Sequence, residues 1–289
     1  MNNQLKNYLK KFGLILKIKR KIFSLFDGTS RPTILNVART FPLYVPNSGG
    51  NYNDRLKLTL EAINKIFPFI SSLANYTQNK KVVVESISQL IIDSKSKISA
   101  EVLKKILDRY GSDKANNHDY HHLYGAILKN PLGVENIFEI GLGTNNIDVI
   151  SNMGINARPG ASLRAFREYC PKAFIYGADV DQRILFEEER IKTFFVDQTS
   201  PETFNSLLAQ IPNNFDLVID DGLHSPHANV ASLEFGLKII KVGGWVVIED
   251  IGDAALDLWK VVSVLLPSNY EPHIFLAKGG MVFAVKRLQ

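Results

Sequence analysis

Phe215-Asp216-Leu217-Val218-Ile219-Asp220-Asp221-Gly222-Leu223-His224 is the stretch whose reading decides the fold. An apolar run with β-branched residues that stops abruptly at two carboxylates, a glycine and a histidine reads as a buried parallel strand delivering charge at its carboxyl end. Open α/β sheets keep their ligand crevices at that end. Downstream, Gly243-Gly244-Trp245-Val246-Val247-Ile248-Glu249-Asp250 repeats the pattern and closes on a second acidic pair. A strand end capped by solvated acids is the ordinary reading of either stretch alone. Two such strands aiming carboxylates at one crevice point beyond it. Acids three and four residues before a histidine are raw material for a metal site or a carboxylate-oriented general base.

Outward from these two strands the chain alternates. Asn136–Ile140, Phe174–Asp179 and residues 193–197 read as further strands, and residues 161–169, 201–210, 230–240 and 254–265 as helices between them. This alternation predicts an α/β fold: a Rossmann-like, mostly parallel sheet with helices on both faces. Residues 273–277 and 281–285 flank Lys278-Gly279-Gly280 and predict an antiparallel hairpin at the end of the sheet. Ahead of the sheet, apolar residues recur at helical spacing through Leu56, Leu58, Leu60, Ile63 and Ile66, then from Val82 through Ile92 and Ile98 to Ile106. Three parts are therefore expected: a basic amphipathic helix at 1–28, a mostly helical section at 29–130, and a ligand-binding α/β domain at 131–289.

The 289 residues are 45% hydrophobic and 22% charged, an ordinary soluble composition that excludes disorder and fibres. The single cysteine, Cys170, excludes an internal disulfide framework and fits a reducing, cytoplasmic compartment. Much of the net charge of +5 lies at the front, where Lys6, Lys10, Lys11, Lys17, Lys19, Arg20 and Lys21 crowd together with no acid before Asp27. Leu5, Leu9, Phe12, Leu16, Ile22, Phe23 and Phe26 interleave with them at roughly helical spacing, which describes a surface helix rather than a membrane span. Peripheral contact of residues 1–26 with an anionic membrane face, or a homo-oligomer or domain contact, is its expected role. Residues 27–53 are rich in Pro, Gly, Ser and Asn and read as a linker or covering loop.

Between Tyr110 and Gly125 the chain is polar and carries His118, His121 and His122. Neighbouring chain positions rarely face one ion, so loop polarity or residues folding over a bound ligand explains them better than a metal. Gly141 and Gly143, just after the first strand of the alternating region, permit the tight turn and close backbone approach that a nucleotide-like ligand requires. Asp179 ends the next strand, where it can accept from a ribose diol. Asp197 and Gln198 end the third, where they can read an adenine edge. Agreement in position among these strand ends points to an adenosine-containing ligand.

Glu139-Ile-Gly-Leu-Gly143, Asp179, Asp197-Gln198 and the terminal hairpin together resemble a class I S-adenosylmethionine-dependent methyltransferase. More narrowly, Pro159-Gly-Ala-Ser-Leu-Arg164 with Tyr169-Cys-Pro171, Asp220-Asp-Gly-Leu-His224 and Ile248-Glu-Asp250 are similar to the macrocin and mycinamicin type of sugar O-methyltransferase. The likeness runs from about Tyr110 to Arg287. It implies that Glu139, Gly141, Gly143, Ser162, Asp179, Asp197, Gln198 and Asp220 serve S-adenosylmethionine. It also implies that Asp221, Glu249 and Asp250 hold Mg²⁺ and that His224 is the general base. Oxygen ligands suit a hard cation. An alcohol is a poor nucleophile, so a cation and a base near neutral pKa address the same difficulty. The acceptor so implied is a sugar hydroxyl of a glycan or glycosylated natural product. The loop 144–159 breaks the simple dinucleotide fingerprint, and no third glycine stands in place.

A nicotinamide dehydrogenase shares strand, glycine turn and acid but requires neither the acidic strand ends nor the hairpin. A nucleic-acid methyltransferase suits the charge, yet no Asn/Asp-Pro-Pro-aromatic tetrapeptide is present and the basic residues cluster away from the glycine loop. A phenolic or catechol O-methyltransferase shares the metal logic, with only the histidine after the Asp pair favouring a sugar. A non-catalytic binding module has no physical reason to keep Asp221, His224, Glu249 and Asp250 together.

Overall fold

The computed structural model describes residues 68, 70–74 and 83–289. The chain divides into two units, Met1–Phe69 and Ile70–Gln289, and all described residues but Pro68 belong to the second. The basic helix expected at 1–28, the loop at 27–53 and the periodicity at 56–66 lie outside the described residues.

The described strands are β1 (Val84–Ser86), β2 (Asn136–Ile140), β3 (Phe174–Asp179), β4 (Glu187–Glu188), β5 (Ile191–Phe195), β6 (Phe215–Asp220), β7 (Ile240–Ile251), β8 (Tyr270–Ala277) and β9 (Gly280–Arg287). They form one sheet in the order β1-β8-β9-β7-β6-β2-β3-β5-β4. Strands β7, β6, β2, β3 and β5 run parallel, as the alternation predicts. The closing hairpin folds back so that β9 is antiparallel to both β7 and β8. It is not the end of the sheet. Val84–Ser86 adds a further edge strand, parallel to β8, where residues 82–92 carry helical periodicity. Val84–Ser86 takes the open edge, and only a 3₁₀ turn at Ile87–Leu90 follows.

Among residues 83–289 the helices are α1 (Ser94–Tyr110), α2 (His121–Ile127), α3 (Ala161–Tyr169), α4 (Pro201–Leu208), α5 (Pro226–Ile239) and α6 (Leu256–Leu265). Asp93 caps α1 by accepting from Ser96 N at 2.7 Å, and Gly111 ends it in the left-handed conformation at φ 81°. Side chains alternate across a strand. Ile137, Leu217, Ile219 and Val247 therefore pack under α1, α2 and α3, while Phe138, Val218, Val246 and Ile248 pack under α4, α5 and α6. Both faces are apolar, as a buried parallel sheet requires.

This parity aims the acids. Glu139 pairs with Ile219, and Ile219 with Val247. Glu139 thus shares a face with Ile219 and Val247, and Asp221 and Glu249, two residues on, continue it toward α2 and α3. Asp220 takes the opposite face, toward α5. At Gly125 an added Cβ would lie 2.6 Å from the Ala100 backbone, so only glycine lets α2 lie this close to α1 and over the strand ends.

Candidate active site

A cavity of about 770 Å³ opens at the carboxyl ends of β2, β3, β5 and β6. Of the residues anticipated for the cofactor, Gly141, Gly143, Ser162, Asp179, Asp197 and Gln198 line it, as do Asp221 and His224. Gly141 adopts φ 91°, and a Cβ there would stand 1.9 Å from the Asp221 carbonyl oxygen. The β2 turn can pass beside β6 only without a side chain. Asp179 accepts from Leu142 N at 2.7 Å and Asp181 N at 2.8 Å, so it braces the glycine turn from the neighbouring strand. Burial raises its pKa, and those backbone donors oppose the rise.

Glu139 and Asp220 are not among the cavity-lining residues. Glu139 is wholly buried and accepts from Ser162 Oγ at 2.7 Å. Asp220 accepts from Gln198 Nε2 at 2.7 Å and Asn229 Nδ2 at 2.9 Å. Gln198 in turn accepts from Leu223 N at 2.7 Å, clamping the Asp221–His224 turn. Burial raises both carboxyl pKa values, opposed by Lys114 at Glu139 and by Asn229 and Gln198 at Asp220. These two acids hold the loops that shape the cavity.

In the cavity wall stands a buried cation that spacing did not single out. Lys114 Nζ donates to Asp221 Oδ2 and to Glu249 Oε2, each at 2.5 Å, and lies 3.1 Å from Glu139 Oε1. Its side chain is 2% exposed. Burial works against its charge, but Asp221, Glu249 and Glu139 outweigh that and raise its pKa well above the ordinary value. Tyr124 donates to the other oxygen of Glu249. Glu249, the expected middle ligand, thus has both oxygens engaged, and burial drives its pKa well up despite Lys114. Three acids share one ammonium, so the lysine stays charged while burial raises the pKa of Glu139 and Glu249.

Nearer the surface a ligand atom from each of Asp221, His224 and Asp250 falls within 4.8 Å of the others. His224 Nε2 stands 3.8 Å from Asp221 Oδ1 and 3.8 Å from Asp250 Oδ2, outside hydrogen-bond range of both. Asp221 therefore spends one oxygen on Lys114 and turns the other outward. Asp250 accepts from Tyr120 Oη at 2.5 Å and lies 3.4 Å from His118 Nδ1. Burial with Glu249 and Asp250 close by raises the Tyr120 pKa far up, which keeps its phenol a donor. His118 is raised by its contact with Asp113, and its contact with Asp250 acts in the same direction. Strand parity alone would send Asp250 to the α5 face. Its backbone instead takes φ 54°, where the β7–β9 register shifts, and His224 takes φ 52°. Non-glycine residues in this region carry strain that the surroundings must hold, and such strain concentrates at working sites.

Lys114, His118, Tyr120 and Tyr124 all come from the polar 110–125 segment. It folds over the strand ends, where it meets Asp221, Glu249 and Asp250. His121 lies elsewhere in the turn; burial, with His122 beside it, lowers its pKa to about 4.

No protein-family profile matches the chain. Demethylmacrocin O-methyltransferase of Streptomyces fradiae is 36% identical over 95 residues, 33% of this chain and 24% of that protein. Mycinamicin VI 2''-O-methyltransferase of Micromonospora griseorubida matches to the same extent. The 8-demethyl-8-alpha-L-rhamnosyl tetracenomycin-C 2'-O-methyltransferase of Streptomyces olivaceus is 29% identical over 143 residues, 50% of this chain and 36% of that protein. The matched stretches thus span well under half the length of these relatives. Among solved structures, the MycE methyltransferase of the mycinamycin pathway, in complex with Mg, SAH and mycinamycin VI, aligns with a TM-score of 0.52 at 23% identity. That alignment covers 65% of this chain and 53% of MycE. The chain has the fold of the MycE methyltransferase, and the curated relatives it resembles are O-methyltransferases by name.

Proposed function

We propose that this chain is an S-adenosylmethionine-dependent, Mg²⁺-dependent O-methyltransferase acting on a sugar hydroxyl. The reading is carried by one observation: Asp221, His224 and Asp250 converge beside a cavity of nucleoside size built on Gly141, Asp179 and Gln198. Curated relatives that methylate glycosylated compounds support the same reading.

The residues fit the two groups they would hold. Asp197, Gln198, Asp179 and the Gly141–Gly143 turn offer acceptors and close backbone to an adenosine, and Asp221 and Asp250 offer oxygens to a hard cation. When bound, S-adenosylmethionine supplies an electrophilic methyl group, and the cation supplies positive charge beside an oxygen that is losing its proton. His224, at the cavity mouth, would take the proton that the acceptor hydroxyl gives up as it is methylated. Lys114 and Tyr120 keep Asp221 and Asp250 in place by occupying their other oxygens. Glu249 acts behind them as an anchor for Lys114 and Tyr124.

The loop 144–159 flanks the cavity and exposes Ile147, Ile150, Met153 and Ile155, with Ile150 92% exposed. An apolar rim beside a polar reaction centre suits a saccharide joined to an apolar body. Among the described residues no helix is long and apolar enough to cross a membrane. Contact of residues 1–26 with a membrane face stays part of the proposal.

The test is transfer of labelled methyl from S-adenosylmethionine into fractionated extract of the source cells, with Mg²⁺ and with a chelator. Label in a saccharide-containing fraction that requires Mg²⁺ supports the proposal. Metal-independent label in RNA or protein overturns it.

A further inference from the structure

His121 and His122 sit side by side at the start of α2, with ring centroids 4.1 Å apart and planes tilted by 37°. With Asp119 they offer three ligand atoms that lie within 4.8 Å of one another. His121 is 3% exposed, and the Nδ1 atoms of both rings are buried without a hydrogen-bond partner. An unpaired buried polar atom costs about 1–3 kcal/mol, so two in adjacent rings are an arrangement that folding alone does not favour. Asp119 holds φ 61°, a left-handed backbone that brings its carboxylate beside the rings.

We propose that Asp119, His121 and His122 form a second metal site, selective for a borderline transition ion such as Zn²⁺ or Co²⁺ over Mg²⁺. Two imidazole nitrogens and one carboxylate oxygen are the donor set such ions take, with water completing the shell, whereas Mg²⁺ prefers oxygen alone. Bonds of about 2.0–2.1 Å in a tetrahedral shell need donors about 3.4 Å apart, so a small closure of the three side chains accompanies binding. Neighbouring chain positions seldom share an ion, and here the side-by-side rings remove that objection.

The site shares no residue with Asp221, His224 and Asp250, and its role differs. Asp119 and His121 flank Tyr120, which donates to Asp250, and Tyr124 one turn further donates to Glu249. An ion bound there pins the turn that carries both phenols, so it acts as a structural brace for the strand-end acids and takes no part in methyl transfer.

The experiment uses the full chain without a histidine tag, stripped with chelator and titrated with Co²⁺ in excess Mg²⁺. The expected result is one equivalent of Co²⁺ held against Mg²⁺, with the visible absorption of an imidazole-ligated ion, displaced by Zn²⁺. Asp119→Asn and His122→Ala should each weaken Co²⁺ binding at least tenfold, and His224→Asn should leave it unchanged. If His122→Ala does not fold, Asp119→Asn at a half-buried position decides. Loss of Co²⁺ in His224→Asn with retention in Asp119→Asn would assign the ion to the strand ends and overturn the proposal, as would failure to retain any Co²⁺ in excess Mg²⁺.

Discussion

Lys114 Nζ donates to Asp221 Oδ2 at 2.5 Å, joining the segment ahead of β2 to the end of the sheet's central strand. The bond leaves Asp221 Oδ1 facing His224. One carboxylate thereby belongs both to a buried charge cluster and to the mouth of the cavity.

Lys114→Met should therefore destabilise more than an ordinary core change. It strands Glu139, Asp221 and Glu249 without their shared cation, and breaking a buried pair by removing one partner costs about 3–5 kcal/mol. Urea unfolding of the two proteins measures the difference. A loss under about 1 kcal/mol would show that the acids find protons or solvent instead.

His224→Ala should lower turnover by about 10²–10⁴-fold, the range of general-base assistance. Affinity for S-adenosylhomocysteine should change little, because Gly141, Asp179 and Gln198 are untouched. Calorimetric titration alongside initial rates separates the two. Unchanged turnover would move the base to another residue.

Asp250→Asn and Glu249→Gln distinguish ligand from anchor. Asp250 faces His224 and Asp221, so its amide should raise the Mg²⁺ concentration for half activation at least tenfold. Glu249 has Lys114 and Tyr124 on its oxygens, so its amide should chiefly lower stability and leave that concentration within a few-fold. The reverse pattern would restore Glu249 to the metal.

His121 sets a pH dependence of stability. Its folded pKa of about 4 lies below the ordinary 6.5, through burial first and His122 second. Between those values the unfolded chain binds the proton and the folded chain does not. Stability is full above pH 6.5 and falls as pH drops toward 4. Unfolding midpoints from pH 7.5 to 4.5, in chelator, should show that decline, and His121→Asn should flatten it. An identical slope in the variant would assign the decline to another group.

The alternation of apolar strand and helical stretch, the acids at strand ends and the closing hairpin are local periodicities, legible because a side chain's face follows from its parity along the backbone. The strand-end position already placed Asp221 and His224 at one crevice with Gly141 beside it, while parity turns Asp220 to the opposite face, toward Asn229 of α5. Edge strand β1 was not legible, because a three-residue strand depends on an open partner more than on its own pattern. The same limit hid the reversal of Asp250, which takes a positive φ that no spacing records. Only the tertiary structure decided that Lys114, Tyr120 and Tyr124 complete the site, reaching acids 107 to 135 residues away. Charges pair across space when desolvation leaves them no water, and a linear pattern contains the charges without the distances between them.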